Sequence, residues 1–341
     1  MSYKFIMPNS DASLVFALSR YVGRLAGLLR LKCSWRKIAQ SKSGNGFPLT
    51  AAIALFILVL STQSNFAQTQ TFICDNTFYL TQGSQSTRLF EGEISRTAVV
   101  FSAIGIASDM IYNAVGYNPL DNFLYGLQDF GSAEEAQLVR IKNNGAIEIV
   151  DSRPEGVDGT SIEGVSGRFF AGTFDTSGKY YFIGDGEQNV LHVVDNVHQI
   201  EPEDVPPVPP VVHAVTLSEG IDVNDLAWAD GNLYAVVVPD ADNDFGFPEQ
   251  SVLVRIDLDM NAGTGAVTAI GSTLNSERFG ALFGTANALF GVANAGGFFR
   301  FDVTTGEALR LASSPSSNTN DGAVCPSAVF GFDLSITKTN T

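Results

Sequence analysis

The stretch GALFGTANALFG, Gly280–Gly291, decides the fold, because it reads as an apolar strand, a short turn and a second apolar strand that ends in an aromatic residue and glycine. A third strand, Phe298–Asp302 (FFRFD), ends in a charge, and a short fourth strand follows at Ala308–Leu311. This four-strand phrase recurs along the chain at a period of about 50 residues. Four short strands at such a period are typical of one blade of a β-propeller.

Three more copies of the phrase lie upstream. Their second strands end in the same way, at Phe123–Gly126 (FLYG), Phe182–Gly184 (FIG) and Leu233–Ala235 (LYA). Their third strands are Leu138–Ile141 (LVRI), Leu191–Asp195 (LHVVD) and Leu253–Asp257 (LVRID). Pro, Asn, Asp and Gly between the first and second strands supply the backbone angles that tight turns need. We therefore predict four complete blades between residues 113 and 311.

The two ends of the folded region supply a further blade. Asn320–Val324 (NDGAV) resembles Asn224–Trp228 (NDLAW), the first strand of the third copy. Thr77–Leu80, Arg88–Glu91 and Ala98–Phe101 then read as second, third and fourth strands. The sequence thus predicts an all-β propeller of five four-stranded blades. Pairing of the N- and C-terminal strands would close the ring and leave no open sheet edge.

The cysteines give this closure a second argument. Aligning the third copy with the composite blade places Cys325 opposite Ala229, just before a hairpin turn, and Cys74 on the other side of that turn. A Cys74–Cys325 disulfide would replace the missing covalent hairpin. By lowering the entropy of the unfolded chain, it would stabilise the fold by about 5 kcal/mol. Two unrelated buried thiols are the alternative. The third cysteine, Cys33, lies in the leader.

Residues 1–67 have the character of a leader. Lys and Arg outnumber Asp and Glu there, the apolar run Leu49–Leu60 follows, and Ala67 is a suitable cleavage residue. This order is typical of a secretory signal peptide, and the run is short of the roughly 20 residues that span a bilayer. An uncleaved signal anchor is the alternative. We expect a leader at 1–67, the propeller at 68–332, and a secreted or cell-surface location.

The charge of the chain restricts its partners. Its net charge is −16, and the negative charge falls on the part after the leader. Proteins that bind nucleic acid need a basic face, and anionic lipid repels an acidic surface. We expect no nucleic-acid partner, membrane contact only through an uncleaved leader, and a monomer.

Two insertions and the three histidines are candidate sites. Asp240, Asp242 and Asp244 alternate as Ca²⁺ ligands do, but Phe245 and Ser251 stand where an EF-hand needs Gly and Glu. A solvated turn is therefore favoured for this segment, and a Ca²⁺ site is the alternative. We expect no other cofactor. The Pro-rich segment 201–210 reads as a stiff loop, with a ligand for a proline-reading groove as the alternative. The three histidines share no spacing typical of a zinc site.

The first strands of propeller blades line a central channel, where ligands often bind. The polar residues on or beside these strands are Asn113, Asp175, Asn224, Asp225, Asn320 and Asp321. The alternative for each is a structural cap, because Asn and Asp at strand ends bond to nearby backbone groups. No catalytic motif with a nucleophile elbow, phosphate loop or Cys/His pair occurs in the sequence.

The span from about Cys74 to Phe332 resembles a family of exported bacterial propeller domains of unknown function. The phrases that carry the resemblance are GYNPLDNFLYGL, LVRID, GALFGTANALFG and NDGAVC. The resemblance implies that the propeller precedes immunoglobulin-like repeats of surface proteins. The segment Asp333–Thr339 (DLSITKT) resembles the first strand of such a repeat, so residues 333–341 are expected to begin a truncated or missing module. The family provides no catalytic residues.

Two classes of function follow from these observations. The first is a non-enzymatic surface or secreted module for ligand binding, adhesion or display, with an unidentified protein or glycan as ligand. The second is a calcium-dependent propeller hydrolase of the lactonase type, whose channel calcium is held by Glu, Asn and Asp. Only Asp225 and Asp321 offer carboxylates on first strands for such a site. We therefore favour the first class.

Overall fold

The computed structural model describes residues 70–94, 98–128, 135–150, 161–184, 188–200, 211–237, 250–271, 274, 277–317 and 319–331. All of them belong to the compact unit Thr69–Thr341. The predicted leader 1–67, the Pro-rich segment 201–210, the acidic residues 240–246 and the terminal segment 333–341 lie outside the described residues. Within the described residues, no helix is long and apolar enough to cross a membrane.

The described residues form an all-β fold, as the sequence predicted. The strands from the N-terminus to residue 150 are β1 Phe78–Gln82, β2 Arg88–Ile94, β3 Val99–Ile104, β4 Tyr112–Asn118, β5 Phe123–Gln128, β6 Glu135–Ile141 and β7 Ile147–Ile149. The next are β8 Ser161–Ser166, β9 Phe169–Phe174, β10 Tyr180–Gly184, β11 Gln188–Asp195 and β12 Val211–Ile221. The last are β13 Val223–Ala229, β14 Asn232–Val237, β15 Val252–Asp259, β16 Thr264–Ala269, β17 Phe279–Gly284, β18 Leu289–Ala293, β19 Phe298–Phe301, β20 Ala308–Ala312 and β21 Asn320–Ala323.

The strands pair mostly with their neighbours in sequence. One sheet has the order β4-β5-β6-β7, another β17-β18-β19-β20, and an eight-stranded sheet runs β13-β14-β15-β16-β12-β11-β10-β9. The two halves of the eight-stranded sheet are antiparallel meanders, and the parallel pairs Thr216–Thr264 and Leu217–Gly265 of β12 and β16 join them into one sheet. The eight-stranded sheet is therefore two four-stranded groups joined at their outer strands.

The remaining sheet joins the two ends of the folded region. Its order is β21-β1-β2-β3, and β21 pairs with β1 from Tyr79–Ala323 to Gln82–Asn320. A disulfide links Cys74 to Cys325, with their Cα atoms 5.2 Å apart, which confirms the predicted pairing of the cysteines.

One strand was missed by the sequence analysis. The strand β8 pairs with β6 through Glu135–Ser166 and Gln137–Ser161, beside the predicted four strands of the first group. Its sequence, SIEGVS, has few β-branched or aromatic residues and a glycine. Such a segment carries a weak strand signal.

The first strand of each group contacts the first strand of the next. These first strands are β4, β9, β13, β17 and β21, and β4 lies beside β9, β9 beside β13, β13 beside β17, β17 beside β21 and β21 beside β4. Glycine permits the close approach. A Cβ atom at Gly172 would lie 2.2 Å from the carbonyl oxygen of Ala114, and one at Gly284 would lie 2.2 Å from that of Trp228.

Aromatic side chains fill the space between neighbouring sheets. The ring of Phe78 on β1 lies 5.0 Å from that of Phe283, 5.5 Å from that of Phe290 and 5.3 Å from that of Phe298. All four rings are fully buried, and burial of one such side chain contributes up to about 3 kcal/mol. The strand contributed by the N-terminal end is thereby fixed to the sheet β17–β20.

Candidate ligand-binding site

A cavity of about 230 Å³ lies where the first strands meet, and we call it the inner-strand cavity. Every first strand contributes a residue to its lining. These residues are Asn113 of β4, Phe170 of β9, Asn224 of β13, Gly280 of β17 and Asn320 of β21. The end of β1, the β1–β2 turn and the β18–β19 turn also contribute to the lining, with Gln82, Ser84 and Asn294. Asn113, Asn224 and Asn320 are three of the six residues that the sequence analysis proposed for a channel.

β-Bulges at this end of the strands interrupt the pairing of the first strands. Asn224 and Asp225 on β13 together stand opposite the single residue Val236 of β14. Gly280 and Phe170 are likewise extra residues in the pairing of β17 with β18 and of β9 with β10. A bulge leaves a residue unpaired and re-aims its side chain. The bulges thus help to turn residues of three strands towards one cavity.

Asn320 has the most distinctive environment in the cavity. Its side chain is only 7% exposed, yet neither its amide oxygen nor its amide nitrogen has a hydrogen-bond partner. Asn294 Oδ1 and Gln82 Nε2 are also buried without a partner. Buried polar atoms of folded proteins nearly always have partners. The inner-strand cavity therefore concentrates unused donors and acceptors.

Gly280 separates two of these amides. A Cβ atom at this position would lie 2.4 Å from Asn294 Oδ1 and 2.8 Å from Asn320 Oδ1. Both oxygens therefore occupy the space that a side chain at position 280 would need. The glycine lets the two amides pack close to the backbone of β17.

Arg168 and Phe170 line another part of the cavity. The guanidinium carbon of Arg168 lies 4.8 Å from the centre of the Phe170 ring, a cation–π arrangement. Arg168 is the only charged residue among the described residues that line the cavity.

Asp225 and Asp321 lie one residue further along β13 and β21, and each is 1% exposed. The Asp225 carboxylate accepts hydrogen bonds from the backbone N–H groups of Leu226 (2.7 Å), Leu282 (2.5 Å) and Gly322 (3.2 Å). Through these bonds it links β13 to β17 and β21.

The Asp321 carboxylate makes the matching contacts on the other side. It accepts hydrogen bonds from the N–H groups of Val115 and Gly322, which links β21 to β4. Neither aspartate lines the inner-strand cavity. This placement matches the alternative of a structural cap, because both carboxylates accept hydrogen bonds from backbone N–H groups. The N–H groups belong mostly to neighbouring strands and not to a turn.

Burial raises the pKa of Asp225 well above the usual range of a carboxyl group, and the nearby charge of Asp321 raises it further. Burial also raises the pKa of Asp321, although its hydrogen bond from Val115 favours the charged form. Two neighbouring buried carboxyl groups cannot both ionise easily. The pair therefore holds a proton well above the pH at which an exposed aspartate loses one.

Asp175, another of the predicted channel residues, does not line the inner-strand cavity. It follows the last residue of β9, at the opposite end of that strand from Phe170. Its carboxylate accepts hydrogen bonds from the N–H groups of Ser177 (2.8 Å) and Lys179 (2.9 Å) and caps the turn before β10. It lines a separate cavity of about 370 Å³.

The predicted calcium residues Asp240, Asp242 and Asp244 lie outside the described residues. Among the residues that the structure describes, no group of three or more His, Cys, Asp and Glu could hold a metal ion. His213 Nε2 lies 3.1 Å from Asp195 Oδ2, and burial lowers the pKa of His192. His192 and His213 thus lie in different environments, one partly buried and the other beside an aspartate.

The sequence profile described as Repeat of unknown function (DUF6923) matches residues 78–327. A comparison with curated protein sequences gives no significant match.

Solved structures give distant similarities. TolB from Acinetobacter baumannii is 14% identical over 76% of this chain and 59% of its own, with a TM-score of 0.42. An auxiliary nutrient binding protein from Bacteroides thetaiotaomicron is 11% identical over 69% of this chain and 54% of its own, with a TM-score of 0.41. A gluconolactonase from Xanthomonas campestris, XC5397, is 13% identical over 67% and 73%, with a TM-score of 0.34. The chain thus spans less than two thirds of the length of the first two proteins.

Proposed function

Since the chain belongs to the DUF6923 repeat family, whose description assigns no activity, we propose from its own residues that it is a five-bladed, ring-closed β-propeller that binds a small ligand in the inner-strand cavity. We further propose that it is non-enzymatic and acts as an exported module. Each part of this proposal has its own support.

The five-bladed ring is supported by the contacts between first strands. Each of β4, β9, β13, β17 and β21 lies beside two others, so the contacts return to their starting strand. Four groups begin with such a strand and continue through sequence neighbours, and β21 begins a fifth whose other strands come from the N-terminal end. Non-covalent closure of this kind is a common way for a propeller to protect its sheet edges.

Ligand binding is supported above all by one observation, the buried and unpartnered amide of Asn320 at the cavity. Leaving buried polar atoms without partners costs about 1–3 kcal/mol per group. A ligand that supplies the missing partners recovers this cost. Polar groups that converge on a concave site are typical of small-molecule binding sites.

The non-enzymatic reading is supported by the arrangement of the carboxyl groups. A lactonase-type calcium site needs carboxylate oxygens around the ion, and the described residues that line the cavity include no Asp or Glu. The oxygens of Asp225 and Asp321 accept backbone N–H groups, and burial favours their protonated forms. We therefore prefer binding to calcium-dependent hydrolysis.

Export is supported by the leader pattern of residues 1–67 and by the Cys74–Cys325 disulfide. Disulfides persist in oxidising compartments and are rare in the cytosol. We propose a secreted or cell-surface location on these grounds.

The test of ligand binding is a thermal-shift screen of the full-length protein. The screen covers neutral, anionic and cationic metabolites and CaCl₂, and compares wild type with Asn320→Ala. We expect at least one compound to raise the melting temperature of wild type and to have little effect on Asn320→Ala. Asn261→Ala, an exposed asparagine in the β15–β16 turn, is the control and should behave as wild type. Equal shifts in all three proteins, or no shift with any compound, would contradict the proposal.

A further inference from the structure

We propose that the ligand of the inner-strand cavity is a neutral, hydroxyl-rich molecule of monosaccharide size, either free or as the end of a glycan. This inference rests on the proposed ligand-binding function. It is carried by the size of the cavity, the charges around it and the donors and acceptors that it leaves unused.

The volume of the cavity sets the size of the ligand. At about 30 Å³ per water molecule, a cavity of about 230 Å³ corresponds to roughly eight waters. A compact molecule of on the order of ten non-hydrogen atoms fits this volume. A folded protein partner could insert no more than a single side chain.

The charges around the cavity disfavour ionic ligands. The chain carries a net charge of −16, which repels anions at long range. Arg168, the only charged residue among the described lining residues, already lies against the ring of Phe170. Cations find no Asp or Glu in that lining. The cavity therefore favours a neutral ligand.

The unused polar atoms call for a ligand that both donates and accepts hydrogen bonds. Asn320 offers an amide oxygen and an NH₂ group, Asn294 offers an oxygen, and Gln82 offers an NH₂ group. Each hydroxyl group can donate one hydrogen bond and accept two. Adjacent hydroxyl groups of a sugar ring can thus partner both atoms of one side-chain amide. An apolar ligand would leave these atoms unsatisfied, at the cost described above.

Gly280 and Phe170 complete this complementarity. The oxygens of Asn294 and Asn320 both pack against Gly280, so they lie close enough together for one hydroxyl group of a ligand to donate to either of them. Phe170 is half-buried and supplies an aromatic surface in the same cavity. A sugar ring presents both hydroxyl groups and apolar C–H groups, which suits this mixed lining.

The experiment is ligand-observed NMR and isothermal titration calorimetry on the full-length protein. The probes are glucose, galactose, mannose and N-acetylglucosamine, with glucuronate and glucosamine as charged counterparts and CaCl₂ as the metal probe. We expect at least one neutral sugar to bind with a dissociation constant in the millimolar range or below. Its charged counterparts should bind at least tenfold more weakly.

Two variants assign the binding to the cavity. Asn320→Ala removes the unpartnered amide, and the methyl group of Gly280→Ala would displace the two amide oxygens that pack against this glycine. Both should weaken sugar binding at least tenfold, whereas Asn261→Ala should bind as wild type. The Asn320 side chain makes no hydrogen bond that its truncation would break, and the groups nearest to a methyl at position 280 include the movable ends of asparagine side chains. If one variant fails to fold, the other still tests the site.

The outcomes separate this inference from the proposed function. Preferential binding of glucuronate, glucosamine or Ca²⁺, with loss in Asn320→Ala, would overturn the sugar assignment and leave ligand binding intact. Sugar binding that is unchanged in both variants would place the sugar elsewhere and overturn the assignment as well. No binding of these probes, together with an empty thermal-shift screen, would overturn both proposals.

Discussion

The dipeptide Asn-Asp occurs on two first strands, at Asn224-Asp225 and at Asn320-Asp321, and its two residues face different surroundings. The asparagines line the inner-strand cavity. The aspartates are buried beneath it, where their oxygens accept backbone N–H groups of neighbouring first strands. Side chains alternate along a strand and bulges shift that alternation, so adjacent polar residues serve different purposes.

The contrast is sharpest between Asp321 and Asn320. Asp321 is buried with its oxygens engaged, and it contributes to the contact between β21 and β4. Asn320 is almost as buried, but its amide has no partner. A buried polar group with partners stabilises the fold, whereas one without partners destabilises it. This comparison provides a physical criterion for separating structural residues from binding residues when all of them are polar and central.

The largest expected effect comes from removing an aspartate of the pair. Asp225→Ala deprives the N–H groups of Leu226 and Leu282 of their acceptor in a buried place. We expect the free energy of unfolding in urea to fall by about 3 kcal/mol.

Asp302→Ala is the matched control for Asp225→Ala. This exposed aspartate also accepts two backbone N–H groups, from Thr304 and Thr305. Water can replace its oxygens, so we expect a loss of less than about 1 kcal/mol. If the two substitutions cost the same, the aspartate pair does not hold the first strands together.

The pH dependence of stability is the next test. Burial raises the folded-state pKa of Asp225 and Asp321, whereas an unfolded aspartate titrates near 3.9. Below about pH 4 both states are protonated and the pair contributes its full stability. As the pH rises towards the raised pKa, only the unfolded chain loses the protons. The free energy of unfolding then falls by about 1.4 kcal/mol per pH unit for each proton retained.

Urea titrations between pH 5 and pH 8 measure this slope. Asp321→Asn removes one titrating group and should give a shallower decline than wild type. The titratable neighbours Tyr112 and Tyr180 do not interfere, because burial raises the pKa of both and keeps them neutral in this range. Identical slopes in the two proteins would show that Asp321 does not retain a proton in the folded state over this range.

The sequence predicted much of the fold because the repeated phrase encodes each group of strands and the turn between the first two. The likeness of Asn320–Val324 to Asn224–Trp228 predicted that the two ends pair. The bulges could not be predicted, because contacts with the neighbouring strand decide whether a residue pairs regularly or is left as an extra residue. The sequence could not separate Asp175, which caps a turn, from the aspartates on the first strands, because an aspartate in a turn and one on a strand look alike in a single sequence.

The sequence also could not predict which buried amides lack hydrogen-bond partners, because those partners come from tertiary contacts. A weak signal for the site does exist. When the copies are aligned, Gly280 stands where three other first strands carry asparagine. Only the structure shows that the amide oxygens of Asn294 and Asn320 pack against this glycine.

The smallest expected effect is also the most discriminating, because it compares two buried asparagines. Asn320→Ala removes an amide without partners, so the free energy of unfolding should rise by about 1 kcal/mol. Asn118→Ala should lower it by about 1 kcal/mol, since the fully buried Asn118 uses its amide oxygen to accept a hydrogen bond from the N–H group of Leu120 at 3.0 Å, although its amide nitrogen has no partner. Urea unfolding of the two variants measures both changes. If the free energy of unfolding rises in Asn320→Ala and falls in Asn118→Ala, the Asn320 amide does not stabilise the fold. This is what we expect of a residue that serves ligand binding. A loss of stability in both variants would mean that Asn320 stabilises the fold. Asn320 would then be a structural residue, as Asp321 is.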